Sequence, residues 1–545
     1  FDQENFFAAV SALNSNVSLY DVNFNDCTLP ISSQWSNMTI DHCHFENITL
    51  VGDYINCNGG NITITNSIFE GNEIADMDAI DLGLIVGTAI IRNNIIRNFS
   101  GDNTDGIDIG DKSENITIDN NVILNCRDKG ISVGQGSKVT VTRNAIAGCN
   151  LGMGIKDSLS YAEVINNTFY NNNVGVACYE KNLNKGGGKA HISNTIFVNS
   201  NMASFTVDEL SEVSLSYSIS DTDILPGTGN LNADSWLINP DDANFYLQTK
   251  SPAINAGNPT TENDSDGSRS DMGAYAFCGE TSPNLVINEI NYNSSGSFDS
   301  GDWIELYNRT KSELDLSGWV FMDETHKPSY VFKNSFIMPA ESYLVLCRDT
   351  DKFNTQYPDV ENYYSELDYG LSGSGESLSI YTNNGFLVDS LTYNDKLPWP
   401  IEADGNGSSL ELVNPKIDNS QSANWKASIG HGTPGSINSN YMVKIDNTSL
   451  LFPEKFALLP NFPNPFNPET TIQYEIPVFS NVEIKIFDAS GREVKTVTSG
   501  FVKPGIYKIL WNGTNHAGNK VSTGIYFITM QADNYFNVQK ALLLK

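Results

Sequence analysis

Two tetrads of the same form, Asp78-Ala-Ile-Asp81 and Asp105-Gly-Ile-Asp108, lie 27 residues apart, and Asp128-Lys129 and Lys156 follow at similar intervals. Paired carboxylates can act as acid and base at a glycosidic bond. They can also hold a divalent cation beside a lysine that neutralises a sugar acid or takes up its proton. Along a strand, alternation puts Ile107 and Ile109 on one face and Asp108 on the other. Asp81 and Asp108 are then expected to stack outward on adjacent strands, with Lys129 and Lys156 close by. One column reads Asp78, Asp105, Lys129, and the column three positions on reads Asp81, Asp108, Ser132, Lys156. Stacked like charges are unfavourable unless protonated, ion-paired or metal-bound. Asp81, Asp105, Asp108 and Lys129 are therefore the candidate catalytic residues, and a plain ladder of Asp–Lys pairs is the alternative. Asp264, Asp266 and Asp271, with Gly267, form a second acidic group with the flavour of a Ca²⁺ loop. It lacks the distal Glu of an EF-hand, and a turn held by Arg269 is the competing expectation.

These residues need a scaffold, and the sequence repeats one. The string Asn115-Ile-Thr-Ile-Asp-Asn-Asn-Val-Ile-Leu-Asn-Cys126 has eight relatives in the first half of the chain. Aligned on their apolar starts, the repeats begin at Val17, Met38, Ile62, Ala89, Ile116, Val139, Ala162, Ala190 and Val213, in steps of 21 to 28 residues. Short β-runs with such a period predict a solenoid whose rungs bury themselves against their neighbours. Four residues into each rung stand Asp21, His42, Asn66, Asn93, Asn120, Arg143, Asn166, Asn194 and Tyr217. Asn94, Asn121, Asn144 and Asn167 fill the next column. Asparagine tolerates the left-handed backbone of a tight bend, and its amide can bond its equivalent one rung away, so asparagine ladders are expected. Cys126 and Cys149 share a column within reach of a disulfide, with buried free thiols as the alternative. Lys181 opens the glycine-rich stretch to Gly188, read as a loop off the wall. His42 and His44 flank Cys43, but the column puts neighbours on opposite faces, which disfavours a metal there.

Composition bounds the rest. The chain has 545 residues, 40% hydrophobic and 18% charged, with a net charge of -33. That length predicts three or four domains. The charge excludes nucleic-acid binding and turns attention to Ca²⁺ as a cation, with solubility as the alternative. The eight cysteines contain no C-x-x-C pair, and the six histidines no H-E-x-x-H, so zinc chemistry is not expected. No apolar run is long enough to span a membrane. The chain begins without a basic, apolar leader, as after signal removal or in a fragment.

Residues 1–278 resemble the right-handed parallel β-helix family of pectate lyases and polygalacturonases. Asn103-Thr104-Asp105-Gly106 matches the Asn-Thr-Asp-Gly motif of the polygalacturonases. Where that family carries Asp-Asp the chain has Asp128-Lys129, and where it carries Gly-His-Gly the chain has Gly152-Met153-Gly154. The family's Arg-Ile-Lys is absent, and Tyr179-Glu180-Lys181 lies where it would fall. The resemblance implies a sugar-binding groove, with Asp128, Lys156, Tyr179 and Lys181 as candidate ligand-binding residues, and counts against polygalacturonase activity. Ser251 to Tyr275 resembles the closing segment of many secreted bacterial β-helix proteins.

Residues 283–440 open with Leu285-Val-Ile-Asn-Glu-Ile290, then Asp302-Trp-Ile-Glu-Leu-Tyr-Asn308 and Leu314-Asp-Leu-Ser-Gly-Trp319. In that order, and with Asn424-Trp425 and Gly432-Thr-Pro-Gly435, they resemble the bacterial lamin-tail domain, an immunoglobulin-like sandwich. Glu289, Asp302 and Glu305 are then expected as signature residues that hold strands and turns, with a catalytic acidic cluster as the alternative. Residues 441–451 read as a linker. Residues 452–545, with Pro460-Asn-Phe-Pro-Asn-Pro-Phe-Asn-Pro468, Trp511-Asn-Gly513 and Gly524-Ile-Tyr-Phe527, resemble the type A C-terminal sorting domain of the type IX secretion system. The expectation is an all-β protein, a right-handed parallel β-helix followed by two immunoglobulin-like β-sandwich domains. It is expected outside the cell or on the outer-membrane surface. Its partners would be polysaccharide or other surface components, the type IX machinery and copies of itself. No cofactor is required, and Ca²⁺ is the candidate ion. Binding or a structural role in an extracellular assembly leads. A polysaccharide lyase or glycoside hydrolase acting on uronic-acid polymers is the rival.

Overall fold

The computed structural model describes residues 8–49, 52–264, 266–281, 284–365, 367, 370–442, 453, 455–477, 480–502, 505–516, 518–532 and 535–544. The chain divides into two compact units, one from the N-terminus through Phe277 and one from Cys278 onward, with residues 265–267 grouped with the second. Residues 443–451 of the expected linker lie outside the described residues.

The first unit is a parallel β-helix with three faces. Two sheets have nine strands each and the third has ten, every strand pairing with its equivalent one rung away. The first sheet runs from Val10–Leu13 to Ala203–Val207, the second from Asn16–Tyr20 to Glu212–Ser216, and the third from Asn23–Asn25 to Leu231–Asn232. Every neighbouring pair of the nine expected rung starts is in register in the second sheet, from Val17↔Met38 to Ala190↔Val213. Alternation explains the packing. Ile40, Ile64, Ile91, Ile118, Val141 and Val164 point inward and are fully buried, while the residues between them face out. β-Branched side chains suit this pleated surface. In the third sheet Phe24, Phe45 and Phe69 stack at centroid separations of 4.7 and 4.6 Å, the rung spacing.

All nine residues of the bend column have φ between 46° and 58°. Asparagine adopts this left-handed region at least cost, and the column is rich in it. The following column turns inward and forms a buried ladder. Asn94 Nδ2 donates to Asn121 Oδ1 at 3.0 Å, Asn121 to Asn144 at 2.9 Å and Asn144 to Asn167 at 3.0 Å. Each Oδ1 also accepts the backbone N–H of its neighbour in the ladder. The inner ladder thus satisfies backbone groups that the bend would leave unpaired.

After the last rung the chain does not simply close the end. The hairpin Leu237–Asn239/Asn244–Leu247 and the segment to Tyr275 pack along the outside of the third sheet. Leu237, Phe245, Leu247 and Met272 cover Ala145, Ala147, Ile196 and Ile219 there. The cover buries outward apolar residues of the third sheet, small at Ala145 and Ala147 and β-branched at Ile196 and Ile219.

The second unit opens with a six-stranded sheet. Its order is Tyr363–Ser365, Tyr343–Cys347, Trp303–Asn308, Leu285–Asn291, Leu410–Leu412 and Trp425–Ala427. It shares a core with the four-stranded sheet of Pro328–Val331, Val320–Met322, Ser377–Tyr381 and Leu387–Thr392, through Ile287, Ile304, Phe321 and Ile380. The last part of the chain forms a three-stranded and a four-stranded antiparallel sheet around Ile472, Ile484, Trp511 and Ile528. One short α-helix, Thr350–Gln356, is present among the described residues. The architecture is the all-β one expected.

Candidate functional site

The first sheet positions the acidic residues. Ile80–Gly83, Asp105–Ile109 and Lys129–Val133 are consecutive strands, with Asp81 in register with Asp108 and Asp105 with Lys129. Ile107 and Ile109 are fully buried inside, and the carboxylates face out. Asp81 and Asp108 therefore stack as expected.

One column differs from the expectation. Ser132 pairs with Gly154, and Lys156 pairs with Tyr179, so Lys156 does not continue the Asp81, Asp108, Ser132 column. The true register aligns Gly130 with Gly152, because Lys129 sits opposite Leu151. A two-residue slip preserves inside–outside alternation, so hydrophobic pattern alone cannot detect it. Lys156 still reaches back, placing Nζ 3.7 Å from Asp108 Oδ1.

A carboxylate ladder runs beside this column. Asp53 Oδ1 accepts the Asp78 N–H at 3.2 Å, Asp78 Oδ1 the Asp105 N–H at 2.6 Å, and Asp105 Oδ1 the Lys129 N–H at 3.0 Å. Asp53 is a member that the sequence reading missed. Its signal was present, since Asp53-Tyr-Ile-Asn56 is the same tetrad one rung earlier with Asn for the second Asp. Asn56 Nδ2 donates to both Asp53 and Asp81 at 2.9 Å.

The ladder brings oxygens of Asp78, Asp105 and Asp108 within 4.8 Å of one another. Among the described residues this is the His, Cys, Asp and Glu group with metal-holding spacing. Burial and then the Asp105 charge push Asp78 up to about 9. Burial, with Asp53 and Asp108 nearby, pushes Asp81 up to about 8. Burial raises Asp105 to about 6, although Lys129 pulls it the other way. Carboxyls in this state bind a proton or a cation in preference to standing as bare anions.

Lys129 is 3% exposed and Lys156 7%. Lys129 Nζ lies 3.3 Å from Asp105 Oδ1 and also pairs with Asp128. Burial works against its charge, but Asp105 and Asp128 outweigh that and hold the ammonium above its usual range. Gly154 and Gly134 give the lysine stems their room: a Cβ at Gly154 would come 2.9 Å from Lys129 Cδ, and one at Gly134 3.0 Å from Lys156 Cε. Beside Asp108 the Ser132 hydroxyl is fully buried and has no hydrogen-bond partner. Tyr179 adjoins Lys156 in register, and its phenol is raised to about 12, chiefly by burial.

Other candidates do not join this group. The Lys181 side chain is exposed, while its N–H donates to Asp157 Oδ1 at 2.8 Å and pins the glycine-rich loop. In the closing segment, Asp271 accepts the Asn255 and Phe277 N–H groups, and Asp264 accepts the Asp271 N–H. Asp266 is exposed. Arg269 donates to the Gly257 and Ala256 carbonyls, as expected of a held turn. All eight cysteines are free thiols, with Cys126 and Cys149 buried.

Family comparisons agree with this architecture. A model of the right-handed β-helix region matches residues 69–218, one of the lamin tail domain residues 279–395, and one of the FlgD Ig-like domain residues 469–535. The last match is to an Ig-like fold and carries no sorting role. No curated protein matches the chain. Among solved structures the chain is similar to pectate lyase Pel9A, at 14% identity and a TM-score of 0.25, over 48% of this chain and 76% of that one. It is also similar to dimeric latent PorU from Porphyromonas gingivalis, at 10% identity and a TM-score of 0.15, over 48% of this chain and 20% of that one. A third is PorZ of that organism, a surface component of its type-IX secretion system, at 10% identity and a TM-score of 0.15, over 47% of this chain and 37% of that one. No helix among the described residues is long and apolar enough to cross a membrane.

Proposed function

We propose that this is a secreted or cell-surface modular protein whose β-helix binds an acidic polysaccharide through a divalent cation, without cleaving it. The observation that carries this reading is the convergence of Asp78, Asp105 and Asp108 oxygens within 4.8 Å on the outer face of the first sheet. A hard cation such as Ca²⁺ takes several oxygen ligands. These three carboxylates fit it, with Asp81 and Asp53 adjoining, and the Ser132 hydroxyl is an unused donor beside them. When bound, the cation supplies positive charge that neutralises the cluster and attracts a uronate carboxylate. Lys156, beside Asp108, and Tyr179, in register with Lys156, orient the sugar.

Two features favour binding over cleavage. A lysine base for β-elimination must be neutral, whereas Lys129 is held charged between Asp105 and Asp128. A carboxyl pair that hydrolyses a glycoside stands about 5–5.5 or 6.5–9.5 Å apart across the sugar, whereas oxygens of Asp78, Asp105 and Asp108 converge within 4.8 Å. The second domain is a spacer or binding module. The third directs export through a type IX system, a role that rests on its sequence resemblance alone.

The test is calorimetry of the intact chain against a panel of uronic-acid polymers, with and without Ca²⁺, while reducing ends and unsaturated products are followed. Binding that needs Ca²⁺, vanishes in Asp108→Ala and yields no product is expected. Turnover that disappears in Asp108→Ala would sink the non-catalytic reading. Export is tested by deleting residues 452–545, which should leave the protein inside a type IX-competent host.

A further inference from the structure

In the six-stranded sheet, Glu289 is in register with Glu305 on one side and Glu411 on the other. The three glutamates form one row across three strands, and each is fully buried. Residues 432–440 lie over that row and supply its hydrogen bonds. Thr433 N–H donates to Glu289 Oε1 at 3.0 Å and Gly435 N–H to Glu305 Oε2 at 2.5 Å. Ser439 and Asn440 N–H groups donate to Glu411 at 3.1 and 3.0 Å. Gly432 and Gly435 have φ of 105° and 79°, and a Cβ on Gly432 would come 2.6 Å from Glu289 Oε1. The Gly432-Thr-Pro-Gly435 motif is therefore shaped to lie against carboxylates.

None of these donors is charged, and no ion pair reaches the three glutamates among the described residues. The Tyr357 hydroxyl donates to the His431 carbonyl, and the Glu289 and Glu305 charges help to raise the Tyr357 and Tyr343 phenols, after burial. His431, at the start of the segment, is turned to the Gly407 carbonyl and stacked on Phe298. Lys426 is in register with Glu411 but exposed. Three anions cannot share such a row without a cation. The geometry identifies where a proton sits. Thr433 Oγ1 lies 2.9 Å from Glu411 Oε1 and 3.4 Å from Glu289 Oε2, with one hydrogen for two acceptors. Ser409 already donates to the other Glu289 oxygen at 2.5 Å.

We propose that residues 432–440 are a proton-locked strap: protonated Glu289 donates to Thr433 Oγ1, which donates to Glu411, and loss of that proton releases the strap from the sheet. Burial first, then the Glu411 charge, push Glu289 up to about 8. The folded value lies above the unfolded one of about 4.5, so the proton's contribution is complete below that value and is lost progressively as pH rises to about 8. Release would uncover a row of strand carboxylates on an accessory domain, a change of surface keyed to alkaline surroundings.

Hydrogen exchange at the Thr433, Gly435, Ser439 and Asn440 amides of the intact chain tests this, after correction for intrinsic base catalysis. Protection is expected to be full below about pH 4.5, to fall by up to about tenfold per pH unit from there to about 8, and to level off above that, as for one linked proton. Glu289→Gln, which keeps a donor at every pH, should hold its protection through pH 10. Protection that stays flat in the wild type, or falls equally in Glu289→Gln, overturns the proposal. If Glu289→Gln does not fold, Thr433→Val and Thr433→Ser decide it at pH 7. The valine should expose these amides and the serine protect them, and equal protection in both overturns the lock.

Discussion

Lys129 shows how one side chain acquires a role from its surroundings. In sequence it replaces an acid that the polygalacturonase motif would carry. In the structure its ammonium sits between Asp105 and Asp128, almost out of solvent. Removing one partner of a buried ion pair leaves an uncompensated charge, which costs about 3–5 kcal/mol. Lys129→Met should therefore lower the urea stability of the intact chain by an amount in that range. A loss within experimental error would show that the cluster is already neutral without the lysine. The thiols give a second residue-scale test. Alkylation in denaturant without reductant should modify all eight cysteines, whereas six would reveal a Cys126–Cys149 disulfide.

At the scale of the element, the dipeptide Asn120-Asn121 divides two tasks between identical side chains. Asn120 holds a left-handed bend at φ 53° and bonds Asn93 on the surface. Asn121 is fully buried, accepts the Asn94 N–H and donates to the Ile91 carbonyl at 2.9 Å. Asn120→Ala forfeits the conformational preference, roughly 1 kcal/mol. Asn121→Ala strands buried backbone groups at about 1–3 kcal/mol each. Thermal unfolding should rank Asn121→Ala as the more damaging of the two, and the reverse order would mean that bend geometry, not backbone satisfaction, holds the rungs. The rung repeat, the bend column and the inner ladder were all legible in the sequence, because each is a local property repeated in register. The Lys156 column was not, because Gly152 and Gly154 offer two alignments of equal hydrophobic pattern.

At the scale of the molecule, the acidic cluster links β-helix stability to pH. Asp78 and Asp81 have folded values of about 9 and 8, above those of free aspartate. Each therefore binds its proton more tightly when folded, and its contribution declines progressively as pH rises from about 4 to about 9. Without divalent cations, the β-helix should melt at a lower temperature at pH 9 than at pH 6. Millimolar Ca²⁺ should recover most of the difference, because a ligand bound only by the folded state stabilises it. Equal melting temperatures at both pH values, or indifference to Ca²⁺ at pH 9, would contradict a cation site at Asp78, Asp105 and Asp108.

The sequence by itself determined the β-helix, the rung register of its second sheet, the outward stacking of Asp81 on Asp108 and the sandwich architecture of the rest. Those follow from alternation and from bends that recur at the same place in each rung, which a linear pattern records. Only the tertiary structure decided which carboxylates converge and that Lys129 is held between Asp105 and Asp128. It also decided that Glu289, Glu305 and Glu411, separated by up to 122 residues, form one buried row under a distant strap. Convergence of side chains depends on register between segments and on what covers them. Burial then sets their charge, and neither quantity is carried by the spacing of residues along the chain.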